Sequence, residues 1–428
     1  MIVYFNRALR TFVLLILLLS SPAARSAETI VELYGNLQVN GNQILGQHGE
    51  PAMLRGMSLF WSQWIGKYYT EECIEWLKDD WNCTVIRAAV APEYGGYLEN
   101  PEAEWAKLET VVEACIDLGI YVLVDWHSHN AHEYTEESIA FFTRVAEEYG
   151  DYPNVIYEIY NEPLQISWVN LVKPYADTVA AAIRQIDPDN LILVGTTTWS
   201  QDVTAPINYP VNDNNVAYTL HFYAATHTQW LRTRAQTALN GGVPLFVSEF
   251  GTCESSGDGA INYDETTAWM QFMEDHHISW CNWSVADKDE TSAALKSGAS
   301  AEGGWPDDAL SESGALIRSL LRQYNETVLS HVPEKSPVQQ PKTIQLMQNY
   351  PNPFNATTRI QFNLSSPEWV TLDVFDVAGQ RVSTLVDGLL QQGSHSACFN
   401  GDDLASGVYR YRLATPLVCD MKSMVLMK

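Results

Sequence analysis

Residues 154–163 read NVIYEIYNEP: an apolar run of strand length, Val155 to Tyr160, that closes on the polar pair Asn161-Glu162. β-Branched and aromatic residues ended by a turn-forming Asn and Pro read as a buried strand entering a loop. The pattern recurs at Met53 to Ser58, Thr84 to Val90, Tyr121 to Trp126, Leu191 to Gly195, Ala217 to Tyr223, Leu245 to Phe250 and Ser279 to Ser284. Starts fall roughly 25 to 40 residues apart, the length of one strand, one crossover helix and two loops. Eight such units close a parallel barrel, so the spacing predicts an α/β fold of the (β/α)8, or TIM, type over residues 27–327.

The intervening segments read as helices. In Pro101 to Leu118, the residues Trp105, Leu108, Val111, Val112, Cys115 and Leu118 follow 3, 4, 7 spacing, with Gly119 where a C-cap belongs. Residues 30–52, with turn signals at Asn40-Gly41 and His48-Gly49, read as a hairpin under the barrel. Beyond the last helix the Pro-rich, polar stretch 328–342 reads as a linker. Alternating runs separated by Gly, Asp and Asn clusters over 343–428 predict a small all-β, Ig-like sandwich.

At the other end, Arg7 and Arg10 precede an apolar run from Phe12 to Leu19 and a small-x-small site at Ala24 and Ser26. This is the layout of a cleaved signal peptide over 1–26, which places the mature chain outside the cytoplasm with no integral membrane span. Charge narrows the partners. Lys and Arg total 25 against 52 Asp and Glu, a net charge of -27. A field of that sign repels phosphate backbones and anionic membranes, leaves a neutral polymer unaffected, and favours a monomer. The 14 Trp and 21 Tyr suit flat, amphipathic ligands such as sugars. Seven Cys without a C-x-x-C pair argue against a zinc ribbon; Cys398 and Cys419 share the C-terminal module and are free to pair.

In an eight-fold barrel, reactive groups sit where strands end. Here those positions hold Arg87, Asp125-Trp126-His127, Asn161-Glu162, His221 and Tyr223, Glu249, and Trp283. Two carboxylates arriving from different strands, with no Ser-His or Cys-His pair beside them, point to acid/base or nucleophilic carboxylate chemistry such as glycoside hydrolysis. One Glu must carry a proton while the other stays ionised, and Arg87, His221 and Tyr223 are placed to hydrogen-bond Glu249 and keep it charged. His127, His129, His132 and Glu133 offer several metal-type ligands within a few positions but lie in a loop with no evident completing ligand, so no metal is expected.

These stretches resemble the endo-β-1,4-glucanases, or cellulases, of glycoside hydrolase family 5. The likeness runs through MLRGMS at 53–58, VIRAAV at 85–90, VDWH at 124–127, NVIYEIYNEP at 154–163, LHFYA at 220–224, PLFVSEFG at 244–251 and WCNWSVADKDETSAAL at 280–295. The resemblance implies Glu162 as general acid/base, Glu249 as nucleophile and Asn161 on the sugar 2-hydroxyl. Arg87, His127, His221 and Tyr223 would support the two Glu. Trp283 would lie under the sugar at the cleavage point, with Trp64, Lys288 and Glu290 along the glucose subsites before it. It implies a β-1,4-glucan substrate and no metal or organic cofactor. The chain departs from many relatives at Leu59-Phe60-Trp61, where they carry His-Gly, and at Ala91, where Tyr is common; both concern subsites. Sister branches of the family act on mannan, xylan or mixed-linkage glucan, and a barrel that kept its cleft but lost its chemistry would only bind glycan.

The C-terminal module resembles the sorting domain of type IX secretion, a FlgD-like, Ig-like fold, through LMQNYPNPFNATTRIQFNL at 346–364, VTLDVFDVAGQRVSTLV at 370–386 and LASGVYRYRL at 404–413. That implies the type IX machinery as a partner and a secreted or surface-attached protein. The rival reading, a carbohydrate-binding module, needs a row of exposed aromatics that Trp369 with Tyr409 or Tyr411 would supply.

Overall fold

The computed structural model describes residues 29–329, 344–364, 368–377, 380–415 and 419–428. The expected signal peptide over 1–26 lies outside them, as does most of the expected linker over 328–342; residues 328 and 329 still belong to the last helix of the first unit, Glu312–Leu329. The chain divides into two compact units, residues 1–334 and 335–428.

The first unit is a closed eight-stranded barrel. Its strands are β1 (Arg55–Leu59), β2 (Val85–Val90), β3 (Tyr121–Trp126), β4 (Val155–Glu158), β5 (Ile192–Gly195), β6 (Val216–Tyr223), β7 (Leu245–Gly251) and β8 (Trp280–Val285). Each pairs in parallel with the next, and β8 closes on β1. Close strand approach explains the Gly of MLRGMS: a Cβ on Gly56 would stand 1.7 Å from the Val85 carbonyl oxygen of β2.

Side chains alternate across each strand, and two apolar clusters record the alternation. Outward residues such as Ile86, Val122, Val124, Val155 and Tyr157 pack with the helices. Inward residues Val85, Tyr121, Leu123, Ile156, Leu193, Ala217, Phe246 and Cys281 fill the barrel's lower end. That inner cluster is closed from below by Ile44 of the hairpin Gln38–Asn40/Gln43–Leu45 and by Ile30 and Tyr34 of a short helix, Ile30–Tyr34, which the sequence reading did not anticipate. Tyr121 ties the plug in place by donating to the Gly35 carbonyl at 2.6 Å.

Helix Pro101–Leu118 ends as its pattern predicts. Gly119 adopts φ 65°, ψ 35°, and its N–H closes on Cys115 and Ile116 carbonyls. A Cβ there would meet Thr29 at 2.4 Å, so Gly satisfies both the left-handed cap and the close approach.

The second unit holds two antiparallel sheets: β9 (Ile344–Leu346), β10 (Thr357–Leu364) and β13 (Gly393–Asn400) in one, and β12 (Arg381–Leu390), β11 (Glu368–Phe375), β14 (Gly407–Ala414) and β15 (Cys419–Leu426) in the other. Ile360 and Phe362 from the first meet Val370, Leu372 and Tyr411 from the second in a shared core. Tyr409 is buried too, and Tyr411 donates to the Met347 carbonyl at 2.9 Å. These two rings therefore serve the core and leave no sugar-binding row with the exposed Trp369. Cys73, Cys83, Cys115, Cys253 and Cys281 are buried free thiols and Cys398 is an exposed one, while the Cys419 side chain lies outside the described residues.

Candidate active site

Above the apolar floor, the same inward-facing rows turn polar. β2 places Arg87 two residues after Val85, β3 places Asp125 after Leu123, β4 places Glu158 after Ile156, β6 supplies Thr219 and His221, and β7 supplies Ser248 after Phe246. Arg87 is fully buried and binds three carboxylates: Glu158 through Nε at 2.7 Å, Asp125 through Nη2 at 3.0 Å and Glu249 through Nη1 at 3.1 Å. Its Nη2 also donates to Asn161 Oδ1 at 2.7 Å. An ionised carboxylate at this depth costs several kcal/mol unless it is paired, and the guanidinium fork is the pairing group.

Glu249 reaches the mouth by a break in the strand's alternation. Thr219 pairs with Phe246 and His221 with Glu249, so two residues of β6 oppose three of β7; the pairing with β8 shifts over the same stretch. The extra residue is a β-bulge, and it lets Ser248 point inward while the adjacent Glu249 is re-aimed toward the opening. Glu249 Oε2 then faces Arg87, and Oε1 accepts from Tyr223 Oη at 2.9 Å. Glu162 follows β4 on the opposite side. One oxygen of each of these two carboxyls and a ring nitrogen of His221 all lie within 4.8 Å of one another.

His221 contacts Glu162, not Glu249 as the sequence reading expected: its Nδ1 lies 2.9 Å from Glu162 Oε1. Its Nε2 lies 2.8 Å from Ser248 Oγ, which donates to Glu158 Oε1 at 2.6 Å. Burial opposes the imidazolium, yet the bonds toward Glu158 and Glu162 push the imidazole up to about 9. Burial likewise opposes charge on Glu162, and the His221 hydrogen bond overcomes it and holds the carboxyl below its ordinary value. Both shifts describe one proton retained by the Glu162–His221 pair. For Glu249, burial and the charge of Glu162 push the carboxyl up while His221, Arg87 and Tyr223 oppose them. The partners differ in kind: the guanidinium on Glu249 offers only donors, whereas imidazole Nδ1 on Glu162 can also accept, so Glu162 is the carboxyl whose partner can share a proton.

The other predicted residues divide. His127 touches neither Glu; its Nδ1 lies 2.6 Å from Asp125 Oδ2, and its ring stacks parallel to Trp283 at 5.2 Å. Trp283 is 5% exposed, with Phe60 on it at 5.1 Å. Trp64 is 56% exposed and stacks on Trp61 at 4.8 Å, giving a two-ring surface whose inner member meets His127 edge-on. Lys288 and Glu290 form an ion pair with each other, and Lys288 lies over the Phe60 ring. The loop histidines are spent on separate partners, His129 Nδ1 lying 3.2 Å from the Glu162 carbonyl and His132 Nδ1 2.8 Å from Tyr160 Oη; among the described residues the metal-type donors that come together are Glu162, His221 and Glu249.

A cleft of 440 Å³ opens beside the two Glu, lined also by His227, Gln165 and Trp199. Trp199 stands in a left-handed turn, with φ of 62° at Thr198, 52° at Trp199 and 54° at Ser200. Glu158, Ser248 and this turn were not singled out from the sequence. Glu158 did carry a signal, a lone charge inside an apolar strand two residues from Ile156. The turn carried none, since it contains no Gly.

Comparison with known proteins identifies the family of each unit. Residues 45–289 match the family described as Cellulase (glycosyl hydrolase family 5), and 348–425 match the Secretion system C-terminal sorting domain. An endoglucanase of Clostridium saccharobutylicum is 41% identical over 77% of this chain and 74% of its own length. Endoglucanase Z of Dickeya dadantii is 48% identical over 67% of this chain and 66% of its own length. A solved structure from Cytophaga hutchinsonii, 51% identical, superposes with a TM-score of 0.70 over 71% of this chain and 99% of its own. The catalytic domain of Thermobifida fusca endoglucanase Cel5A, 34% identical, gives 0.66 over 69% and 99%. The sorting domain marks the chain as secreted or cell-surface, and no helix among the described residues is long and apolar enough to cross a membrane. By its sequence and by its barrel, the chain belongs to glycoside hydrolase family 5, the cellulases.

Proposed function

We propose that the chain is a retaining endo-β-1,4-glucanase that acts after export, with Glu249 as nucleophile and Glu162 as acid/base. One observation carries the mechanism: carboxyl oxygens of Glu162 and Glu249 lie within 4.8 Å. Retaining glycosidases hold their carboxyls about 5–5.5 Å apart, and inverting ones about 6.5–9.5 Å to admit a water. At this spacing Glu249 attacks the anomeric carbon while Glu162 gives its proton to the leaving oxygen. Glu162 then takes a proton from water, which releases the sugar from Glu249. Arg87 and Tyr223 hold the nucleophile ionised and aimed, and Arg87 orients Asn161 toward the sugar 2-hydroxyl. The endoglucanase names of the relatives support β-1,4-glucan as substrate.

The test is sugar release from carboxymethylcellulose, konjac mannan and xylan by wild type, Glu162→Ala and Glu249→Ala. Wild type is expected to cut the glucan, Glu162→Ala to lose roughly 10²–10⁴-fold and Glu249→Ala nearly all turnover. Added azide separates the roles: with an activated aryl glycoside, Glu249→Ala should yield the α-glycosyl azide and Glu162→Ala the β-glycosyl azide. Preference for mannan or xylan would change the substrate, and the opposite azide pattern would exchange the two Glu.

A further inference from the structure

Resting on the glycosidase reading above, we propose that Ser248 and Glu158 are positioning residues that fix the tautomer of His221 and so keep a proton between His221 and Glu162 for the leaving oxygen.

The argument is one of hydrogen-bond direction. Glu158 is fully buried and receives two bonds from Arg87, at 2.7 and 3.3 Å. Burial works against its charge, but Arg87 outweighs burial and holds the carboxyl below its ordinary value, so it accepts only. Ser248 Oγ must therefore spend its single proton on Glu158 Oε1, 2.6 Å away. Its oxygen can only accept from His221 Nε2 at 2.8 Å, which puts a proton on Nε2. With Nε2 committed, the 2.9 Å contact of Nδ1 with Glu162 Oε1 needs one further proton, written on either partner. If that proton leaves, Glu162 faces a bare Nδ1, or the imidazole must turn a bare Nε2 toward an oxygen already committed to Glu158. Either arrangement sets lone pair against lone pair in a buried site, so the relay makes loss of the proton costly.

Other groups face the pair without supplying this constraint. Glu249 lies across the site, and its charge favours the proton; Arg87 disfavours it. His129 Nδ1 is 3.6 Å from Glu162 Oε2, on the side away from His221. His227 is kept neutral by burial, its pKa down to about 4, and accepts from the Tyr223 N–H at 2.8 Å. Asp125, beyond Arg87, is pushed up by burial and bonds His127. Among the described residues, only the Ser248–Glu158 arm reaches His221 Nε2.

The sign follows. The pair keeps its proton as pH rises until near the raised imidazole value of about 9, so it sets the basic limb of kcat/KM. Ser248→Ala removes the acceptor and frees the imidazole to turn Nδ1–H toward an ionised Glu162, so the proton is lost earlier. The basic limb on carboxymethylcellulose should move down by about one pH unit, a roughly tenfold loss on that limb. Ser248→Thr should restore it. With 2,4-dinitrophenyl β-cellobioside, whose leaving group needs no proton, Ser248→Ala should lose less than about twofold in kcat/KM. A merely structural Ser248 would lower both substrates together and leave the limb in place, and that result overturns the proposal. If the variant does not fold, nitrogen NMR of histidine-labelled wild type decides: Nε2 must stay protonated on both sides of the limb, and a bare Nε2 there overturns it. Failure of wild type to cleave either substrate would instead remove the glycosidase reading.

Discussion

Arg87 shows how one residue can define a site that looks, from the sequence, like a collection of separate strand ends. Its guanidinium is the shared partner of Asp125, Glu158 and Glu249, none of which tolerates burial alone. Replacing it with Met leaves those carboxylates uncompensated, and the expected cost is about 3–5 kcal/mol of stability. Activity should vanish as well, because Glu249 loses its aim. Chemical denaturation of Arg87→Met checks the first point, and a loss below 1 kcal/mol would mean that the carboxylates find other partners or take up protons cheaply. Arg87 was legible because a cation two residues after Val85 on a strand has to face the barrel interior. Glu158 obeys the same parity with Ile156, and the signal was there to read. What parity could not show was the partner of each group: from the strand pattern His221 could turn to either Glu, and in the fold its Nε2 meets Ser248 while its Nδ1 meets Glu162.

At the scale of elements, the strands were readable and their irregularities were not. Short apolar runs predict eight strands because burial on both faces leaves little choice of residue. The bulge in β7 is different. Strict alternation would turn Glu249 away from the interior if Ser248 faces it, and no residue in LFVSEFG announces the extra step. The left-handed turn at 198–200 is equally silent and carries more strain, about 1–2 kcal/mol for each non-Gly residue. It persists because its neighbours hold it: Thr198 N–H donates to the Leu164 carbonyl at 3.1 Å and Trp199 N–H to Pro163 at 2.9 Å. Ser200 Oγ donates to the Asn161 carbonyl at 2.7 Å and accepts from Thr219 at 2.9 Å. The strained turn thus clamps the segment that carries Asn161 and Glu162. Ser200→Ala should cost about 1–3 kcal/mol, since a buried carbonyl and a buried hydroxyl lose their partner. It should also lower kcat more than it raises KM, because the carboxyl that loses register is the proposed acid. Paired denaturation and kinetics test this, and a stability loss with unchanged kcat would reduce the turn to scaffolding.

On the scale of the whole molecule, two units with different architectures raise the question of whether either depends on the other. Each has its own closed core. The barrel's clusters draw on residues up to Leu329, and the sandwich core begins at Leu346. The solved relative from Cytophaga hutchinsonii is matched over 99% of its length by 71% of this chain, so a barrel of this kind stands without the rest. A chain ended after residue 329 should therefore fold with a thermal midpoint within about 2 °C of the full chain, a difference of about 1 kcal/mol for a domain this large. Its kcat/KM on soluble glucan should stay within about twofold, since every group in the proposed chemistry and subsites lies between Trp64 and Glu290. What it should lose is export, because the sorting domain is the part removed. Comparing glucan hydrolysis by purified full and shortened chains with their distribution between cells and medium separates the two roles. A shortened chain that is active when purified yet stays with the cells assigns chemistry to the barrel and delivery to the sandwich; one that is destabilised or inactive would show that the barrel needs the second unit to hold its cleft.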